Sequence, residues 1–597
     1  MREKLYELYD TLGERGTMFV IYAFSVMINA LFSIGMTLPS MSSDELSIAG
    51  IAAGYGGRDW SALLDKSGNG SGYFQALFYA PLFFVFRNPY ALYKGMLIVN
   101  GLLISFLPLI AYYMAAKLGV ESVFHKVLIS LCCGMSALYI ANSKFIRGDA
   151  LTGLLYWLTV LCLLSAWDKK TGGTRTLMSM LTALLCILSY AADERMFALV
   201  PAVIVTIIVV RVLFKEQMVN IPIFSISLIV FFAADRFAST KFQSSSQATG
   251  RVVLNAQHFF GELFSQLYAF MTSTMGFGAL ALALSAVMFL TFVKEGFKKC
   301  KVEVPENGTK VYIPIKHKYS ERAMVISLLQ FFAVFFMVVE AALFSDGNEL
   351  FGNYTDAISP FSVFFAMTFI FIYGINWSEL IKSMGIYAYS CICFAIMGYP
   401  IVKNDTDYLK AAVPVLFPIR TNSEHSMSMD FVIMSSCVFS AFALLMVFTS
   451  CAKNHGRPLI SASLFITSIY ATAVTGIIFI PRVGKENLDG AKDYINAAEL
   501  LYNDAQSPPI IVYDAEPRLA AAAQFLNPET KVNIAGEDDK FPEACLIIAE
   551  NGVSPLPEGG FYDAVGKTDK YTIYAFGDGA RDFYRYISSK QQSTSES

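Results

Sequence analysis

Thirteen runs of apolar residues dominate the sequence and constrain its fold more than any other feature. They lie at roughly 17–37, 95–115, 125–141, 150–167, 176–192, 196–214, 221–235, 273–293, 323–344, 357–375, 385–402, 431–450 and 458–480. A helix needs about 20 predominantly apolar residues to cross the hydrocarbon core of a bilayer. We therefore predict an all-α polytopic membrane protein, with a transmembrane domain over residues 17–480 that follows a short N-terminal segment, 1–16.

The composition agrees with a chain that lies mostly in lipid. The sequence is 55% hydrophobic and 16% charged, whereas a soluble domain is about 45–50% apolar and about 25% charged. The net charge of −3 excludes a cationic protein that binds nucleic acid. The spacing of the ten cysteines predicts neither a zinc module nor a disulfide framework.

One further apolar run, Tyr73–Phe86, decides the orientation of the whole chain. It is only about 14 residues long and contains Pro81, which is typical of a helix that lies in the membrane interface rather than one that spans it. With thirteen spans and a cytoplasmic N-terminus, the inside segments contain about 21 Lys and Arg and the outside loops about 13, as the positive-inside rule requires. Counting 73–86 as a span would place most of these cations outside, so we predict an interfacial helix.

This orientation places three segments outside the membrane. The first outer loop, 38–94, carries the interfacial helix, and a second long outer loop, 236–272, carries His258. Residues 481–597 alternate short strand-like runs with a helical run. That alternation predicts a small extracytoplasmic α/β domain, with a disordered tail rich in Ser and Gln.

Ionisable side chains are costly inside a bilayer, and here they gather at the outer ends of the predicted spans. These residues are Asp44 and Glu45, Arg147 and Asp149, Asp193, Glu194 and Arg195, Asp235 and Arg236, and Glu340 and Asp346. A secondary transporter is expected to hold polar groups near the midplane of the membrane instead. The pattern therefore predicts a polar site at the outer membrane surface, where a lipid-embedded substrate meets a polar one.

A sugar carried on a polyprenyl phosphate is a substrate of this kind. Its phosphate lies at the depth of the headgroups, and its isoprenoid chain lies in the hydrocarbon. Transfer of the sugar requires a carboxylate that accepts the proton of the acceptor hydroxyl. It also requires cations, or a bound metal, that stabilise the leaving phosphate. Both residue types are present at the predicted outer face.

Two regions of the sequence resemble a known superfamily. The first region begins with Asp44-Glu45 after the first span and continues through Ala49, Ala52, Gly57–Trp60 and Gly72–Phe74. The second region is Ile146–Leu151, at the start of the fourth span. Over roughly residues 15–300 the chain resembles the GT-C superfamily of integral-membrane glycosyltransferases. It looks most like the lipid A aminoarabinose transferases and the protein O-mannosyltransferases, and the remainder is similar to them only in architecture.

The resemblance implies roles for two acidic residues. Asp44 matches the acidic residue that relatives carry directly after the first span, ahead of two interfacial helices, where it is the catalytic base. Asp149 matches an acidic residue that helps to form the site. Two positions depart from the pattern: Asn353 precedes Tyr354 where relatives often have arginine, and Gln75 stands where some have a glutamate that is a candidate metal ligand.

The catalytic candidates are therefore Asp44, Glu45 and Asp149. Asp44 and Asp149 have an alternative role as helix N-caps. The carboxylate of Glu45 would raise the pKa of Asp44 if it lies beside it, but not if the Glu45 side chain points away from Asp44. Candidates for binding the donor phosphate are Arg147, Lys144, Arg195 and Arg236.

These cations have alternatives too, in anchoring to lipid headgroups or, for Arg195, in pairing with Asp193 and Glu194. His258 is a weak candidate for a metal ligand, and the sequence leaves open whether a divalent metal takes part.

We expect an inverting glycosyltransferase in a bacterial cytoplasmic membrane, with its N-terminus in the cytoplasm. Its donor would be a polyprenyl-phosphate-linked sugar, and its acceptor a hydroxyl of an unidentified glycan, lipid or protein. Inversion and the donor type follow from the resemblance, and the outer-face site follows from the topology. The alternatives are a transporter or flippase of lipid-linked cell-envelope intermediates, and a membrane scaffold whose external domain binds cell-wall polymer.

Overall fold

A computed structural model of the chain describes most of its residues. These are 2–41, 43–60, 63, 72–168, 172–240, 255–295, 300–303, 311–314, 319–344, 353–402, 456–501, 507–514, 517–536, 539–553 and 562–585. The predicted apolar run at 431–450 and the end of the predicted disordered tail lie outside the described residues.

The membrane domain is built from helices, with one β-hairpin between two of them. In chain order they are α1 (Arg2–Phe32), α2 (Ser43–Tyr55), α3 (Tyr73–Val85), α4 (Pro89–Ile104), α5 (Leu107–Leu118), α6 (Val123–Gly134), α7 (Ala137–Asn142), α8 (Asp149–Asp168), α9 (Gly172–Ala192), a 3-10 turn (Glu194–Ala198), α10 (Leu199–Phe214), α11 (Ile221–Ser239), α12 (Ala256–Ser273), α13 (Phe277–Glu295), β1 (Cys300–Glu303), β2 (Val311–Pro314), α14 (Glu321–Phe344), α15 (Asn353–Asp356), α16 (Ser359–Tyr373), α17 (Trp377–Cys393), α18 (Tyr399–Val402), α19 (Gly456–Val474) and α20 (Ile480–Glu499).

Ten of the predicted spans are helices long and apolar enough to cross a membrane. Two more predicted spans, at 125–141 and 357–375, are represented by the shorter apolar helices α6 and α16. The predicted interfacial run is the 13-residue helix α3, which at about 1.5 Å per residue is too short to span. The predicted fold class, a polytopic all-α membrane domain, is thereby confirmed.

The segment predicted as a second long outer loop, 236–272, is not a loop throughout. Helix α11 continues to Ser239, and the 18-residue helix α12 begins at Ala256. Helix α12 mixes polar residues such as Glu262 and Gln266, both buried, with aromatic ones. Its mixed composition hid it from a search for apolar runs, because an amphipathic helix is recognised by its period and not by its mean hydropathy.

The C-terminal domain contains a five-stranded sheet, with helix α21 and the helical residues 578–585 packed on it. Its elements are β3 (Ile510–Tyr513), α21 (Pro517–Leu526), β4 (Val532–Ala535), β5 (Cys545–Glu550), β6 (Tyr562–Lys567) and β7 (Tyr571–Phe576), and the strand order is β4-β3-β5-β7-β6. The first three strands of that order are parallel to one another. Strand β7 runs antiparallel to both of its neighbours, β5 and β6. This small α/β domain was predicted from the alternation of strand-like and helical runs, and it is confirmed.

One helical segment joins the two domains. The last span and α20 form a helix that is continuous from Phe465 to Ala498, so the chain leaves the membrane domain without a flexible linker. Near the start of α20, a Cβ added to Gly484 would lie 2.3 Å from the carbonyl oxygen of Gly35. The close contact that this glycine permits holds the base of the C-terminal domain against the end of α1.

Candidate active site

Glycine residues bring several segments together at one end of the membrane domain. A Cβ on Gly148 would lie only 2.2 Å from the carbonyl oxygen of Ala192, at the end of α9. A Cβ on Gly72, at the start of α3, would meet the side chain of Ile48 on α2 at 2.7 Å. Residues 143–149, 193–198 and 353–358 thus lie at the same end as α2 and α3, which we call the site end.

An ion-pair cluster occupies the centre of the site end. Arg195 Nη2 lies 2.7 Å from Asp149 Oδ1, and Arg195 Nε donates to both oxygens of Asp193 at 2.9 and 3.0 Å. The Asp149 and Asp193 side chains are 8% and 13% exposed. Arg195 therefore compensates two carboxylates: Asp193, which the pairing alternative named, and Asp149, which it did not. Its guanidinium holds Asp149 in place, which favours a positioning role for that carboxylate.

Two further acids surround this cluster. Glu340 Oε2 accepts a hydrogen bond from the amide of Ala198 at 3.0 Å, and Asp356 Oδ2 accepts one from Asn142 Nδ2 at 3.1 Å. Both carboxyl groups are close enough to Arg195 to interact with its charge. Burial is the main cause that raises the pKa of Asp356 to about 8. Sequence reasoning missed Asp356, whose only signal was its position just before the tenth apolar run.

Glu45 ties the first outer loop to the segment before α8. Its side chain is fully buried. One carboxylate oxygen accepts from Ser40 N at 2.8 Å and Ser40 Oγ at 2.5 Å, and the other accepts from Ile146 N at 2.9 Å. These three accepted hydrogen bonds favour a structural role for Glu45, and its catalytic role stays a prediction. The contact places the first turn of α2 beside Ile146 and Arg147.

Asp44 lies in that same first turn of α2, next to Glu45. Its side chain falls outside the described residues, so its role as the base stays a prediction. Its place in the backbone is nevertheless informative. The Glu45 contact with Ile146 brings position 44 to the part of the site end that carries Arg147 and Asp149.

Lys144, which was predicted to bind the donor phosphate, is instead buried against α1. Its Nζ donates to the carbonyl oxygen of Asn29 at 2.8 Å and to Ser33 Oγ at 2.9 Å. Burial, and then the nearby Lys94, lower the pKa of Lys144 to about 7. The ammonium group satisfies acceptors at the C-terminal end of α1, where helices favour cations. These contacts favour a structural role for Lys144, and its binding of the donor phosphate stays an untested prediction.

Arg147 differs from the other cations of the site end. Its guanidinium lies 5.3 Å from the centre of the Phe145 ring. Its Nε is buried without a hydrogen-bond partner, and within the part of the chain that the structure describes it makes no ion pair. A half-buried guanidinium with unused donors is suited to bind a phosphate bidentately. Of the four predicted phosphate ligands, Arg147 fits the role best.

Arg236 lies at the periphery of the site end, on the last turn of α11. It is exposed, donates to the hydroxyl of Tyr190 at 2.5 Å, and covers the Tyr190 and Phe232 rings at 5.3 and 5.0 Å. The preceding residue, Asp235, accepts a hydrogen bond from the hydroxyl of Tyr73 at 2.6 Å. That contact, which the sequence did not reveal, fastens α3 to α11.

The described residues do not fit a metal ion. No group of three or more His, Cys, Asp or Glu among them could hold one. Gln75 is fully buried, and its amide donates to the Tyr79 hydroxyl and to Asn100 Oδ1, both at 2.9 Å. His258 is half-buried on α12, and its Nε2 has no hydrogen-bond partner in the described part of the chain. A lone imidazole does not make a metal site, so we derive no step through a metal.

Solved structures with this architecture exist, although the sequence itself matches little. The crystal structure of ArnT from Cupriavidus metallidurans bound to undecaprenyl phosphate superimposes with a TM-score of 0.53, at 11% identity, over 94% of this chain and 98% of that one. Its apo form gives a TM-score of 0.50 at 10% identity, over 93% and 97%. The chain has the fold of ArnT.

This finding confirms the resemblance at the level of fold, including the part beyond residue 300. No protein-family model matches the sequence, and no curated protein matches it. At 11% identity the superposition carries no residue assignments, because unrelated functions share folds. The roles of the site residues rest on the contacts described above.

Proposed function

We propose that the protein is an inverting glycosyltransferase. It moves a sugar from a polyprenyl-phosphate-linked donor to an acceptor hydroxyl at the outer face of a bacterial cytoplasmic membrane, with its N-terminus in the cytoplasm. The observation that carries the proposal is the half-buried guanidinium of Arg147, which lies beside the first turn of α2 and makes no ion pair with any residue that the structure describes. The GT-C fold, with undecaprenyl phosphate bound in one similar structure, supports a lipid-linked donor.

In this mechanism the donor phosphate binds to Arg147. Asp44 accepts the proton of the acceptor hydroxyl, whose oxygen attacks the anomeric carbon as the bond from that carbon to the phosphate oxygen breaks. Polyprenyl phosphate leaves with the electron pair, opposite to the attacking oxygen, and the guanidinium stabilises its charge. The proton then passes from Asp44 to water. Asp149, held by Arg195, orients the sugar or the acceptor.

The test is sugar transfer in proteoliposomes that contain polyprenyl-phosphate sugars and candidate acceptors. Asp44→Asn is expected to reduce kcat about 10²–10⁴-fold, the usual contribution of a general base, with no loss of thermal stability. Asp582→Asn is the matched control, because Asp582 is 77% exposed and lies in the C-terminal domain. A folded Asp44→Asn protein that transfers sugar at the wild-type rate would exclude this mechanism.

The same vesicles separate the enzyme from its main rival. A transporter or flippase would move the labelled lipid-linked sugar between leaflets without any transfer to an acceptor. Movement of the donor that Asp44→Asn leaves unchanged, with no glycosylated product, would favour the rival.

A further inference from the structure

The helix of the C-terminal domain has two buried faces. Leu519, Ala520 and Ala523 of α21 pack on the sheet of their own domain. Ala521, Ala522, Phe525 and Leu526 belong instead to the core that contains α2, α3 and α4. The Phe525 ring meets Tyr93 of α4 edge-on, with 6.3 Å between ring centres. Helix α21 thus lies between the sheet and the helices that form the site end.

The turn after α2, residues 57–60, forms the polar part of this interface. Trp60 is 2% exposed, and its indole N–H donates to the carbonyl oxygen of Pro528 at 3.1 Å. Its ring also packs edge-on against Phe83 of α3, at 5.4 Å. The side chain therefore contacts the C-terminal domain and α3 at once.

Arg58 connects the same two elements more directly. Its Nη2 donates to the carbonyl oxygens of Phe83 and Phe86, at the C-terminal end of α3, at 2.6 and 3.0 Å. The same atom lies 2.8 Å from Glu529 Oε1, and the two side chains are 11% and 20% exposed. The neighbouring pair of Asp59 and Lys531, at 2.7 Å, is about half exposed and is expected to contribute little.

Helices α2 and α3 need such support because they are short. Each has 13 residues, a length at which an isolated helix is marginal. Glu45 fastens the first turn of α2, and Tyr73 fastens the first turn of α3. The turn 57–60 follows α2 directly and contacts the C-terminal end of α3 at Phe83 and Phe86.

We propose that the C-terminal domain is a positioning part of the active site, which holds α2 and α3 in register through the contact between Arg58 and Glu529. Arg58 is a positioning residue, since it acts through the helix that carries Asp44. The inference rests on the proposed function only where it concerns Asp44. Its structural part, the dependence of α2 and α3 on the C-terminal domain, stands without any assay of sugar transfer.

The experiment combines hydrogen exchange with kinetics on the full-length protein in nanodiscs. Glu529→Gln removes the charge of the contact and keeps its size. We expect faster exchange in residues 43–55 and 73–85, and a kcat reduced about 10–100-fold, since small misplacements of reacting groups cost that much. KM for the polyprenyl-phosphate donor should not change, because Arg147 lies on a different segment. Asp59→Asn is the matched control and should change neither readout.

Arg58→Lys keeps the charge beside Glu529 and should recover part of the kcat that Arg58→Met loses. Unchanged exchange of both helices in Glu529→Gln would overturn the inference, as would a rise in KM with kcat preserved. If no sugar transfer is detected in any protein, the proposed function fails, but the exchange result still decides whether the C-terminal domain positions α2 and α3.

Discussion

The two ends of the membrane domain contain the same kinds of charged residue, but they differ in the ratio of carboxylates to cations. At the far end, defined by Lys117, Asp168 and Arg322, the carboxylate of Asp168 lies 3.0 Å from Lys117 and 2.6 Å from Arg322. Lys117 also donates to Ser165 Oγ at 2.8 Å, and Arg322 to the carbonyl oxygen of Lys117 at 3.0 Å. Every charge there has a partner, and three helices are joined.

At the site end, carboxyl groups exceed the cations that compensate them. Asp149, Asp193, Glu340 and Asp356 all interact with the charge of Arg195. Arg147, on the adjacent segment, makes no ion pair among the described residues. Burying uncompensated polar groups is unfavourable for folding, so an imbalance of this kind is typical of a functional site. We infer that the charges of the far end serve stability, and that those of the site end are available to a substrate.

The largest expected effect follows from removing Arg195, the cation that pairs with the carboxylates of the site end. Arg195→Gln leaves the Asp149 and Asp193 carboxylates without their counter-charge. We expect a loss of about 3 kcal/mol, the lower end of the range for buried pairs because Arg195 is 22% exposed. The measurement is thermal unfolding in detergent, together with sugar transfer, which should be abolished.

A second substitution shows whether charge is the cause. Adding Asp149→Asn to Arg195→Gln removes one uncompensated carboxylate and should recover part of the stability without recovering transfer. If Arg195→Gln has the same unfolding temperature as the wild type, the stability of the site end does not depend on this charge. The proposed difference between the two ends would then be wrong.

The next effect concerns Arg147, which makes no ion pair in the part of the chain that the structure describes. Arg147→Gln is expected to raise the Kd for a polyprenyl phosphate about 10–100-fold, since a hydrogen bond to a charged group contributes about 1.5–3 kcal/mol. Stability should change little, because Arg147 makes no ion pair with the residues that the structure describes. Lys144→Met gives the opposite pattern, a less stable protein with unchanged Kd. Calorimetric titration with the lipid measures the Kd of both variants. Equal Kd values for Arg147→Gln and wild type would refute the proposal that Arg147 binds the phosphate.

A smaller effect is expected in the pH dependence of stability. The pKa of Asp356 is raised to about 8 in the folded protein, so folding favours the protonated carboxyl. Its contribution is fully present below the pKa of the unfolded chain, about 4, and is lost as the pH rises through about 8. The groups that face it are Asn142, Asp149 and Arg195.

Asp356→Asn cannot ionise and should keep the bond to Asn142. We expect its advantage over the wild type in stability to be larger at pH 8.5 than at pH 5 by at least about 1 kcal/mol, since one pKa unit corresponds to about 1.4 kcal/mol. Thermal unfolding across this range measures the difference. A wild-type stability that does not decline between pH 5 and 8.5 would contradict the raised pKa.

The sequence predicted the fold better than it predicted the site. Apolar runs identify spans because the bilayer sets their length, whereas α12 has no such run and was taken for a loop. Lys144 and Arg147 are three residues apart and read alike in sequence. What separates them is the end of α1, since Lys144 bonds to Asn29 and Ser33, 115 and 111 residues earlier in the chain. Only the packing of α1 against this segment reveals which cation is left for a ligand.

The smallest effect is expected at the far end, where a single substitution tests the difference in charge balance between the two ends. Asp168→Asn removes the carboxylate shared by Lys117 and Arg322, but both cations keep a neutral acceptor, in Ser165 Oγ and in the carbonyl oxygen of Lys117. Arg322 is also 46% exposed, so water screens its charge. We expect a loss of about 1 kcal/mol at most, with kcat and KM unchanged. Should this substitution abolish sugar transfer in a stable protein, the far end would have a functional role, and charge balance would no longer distinguish the two ends.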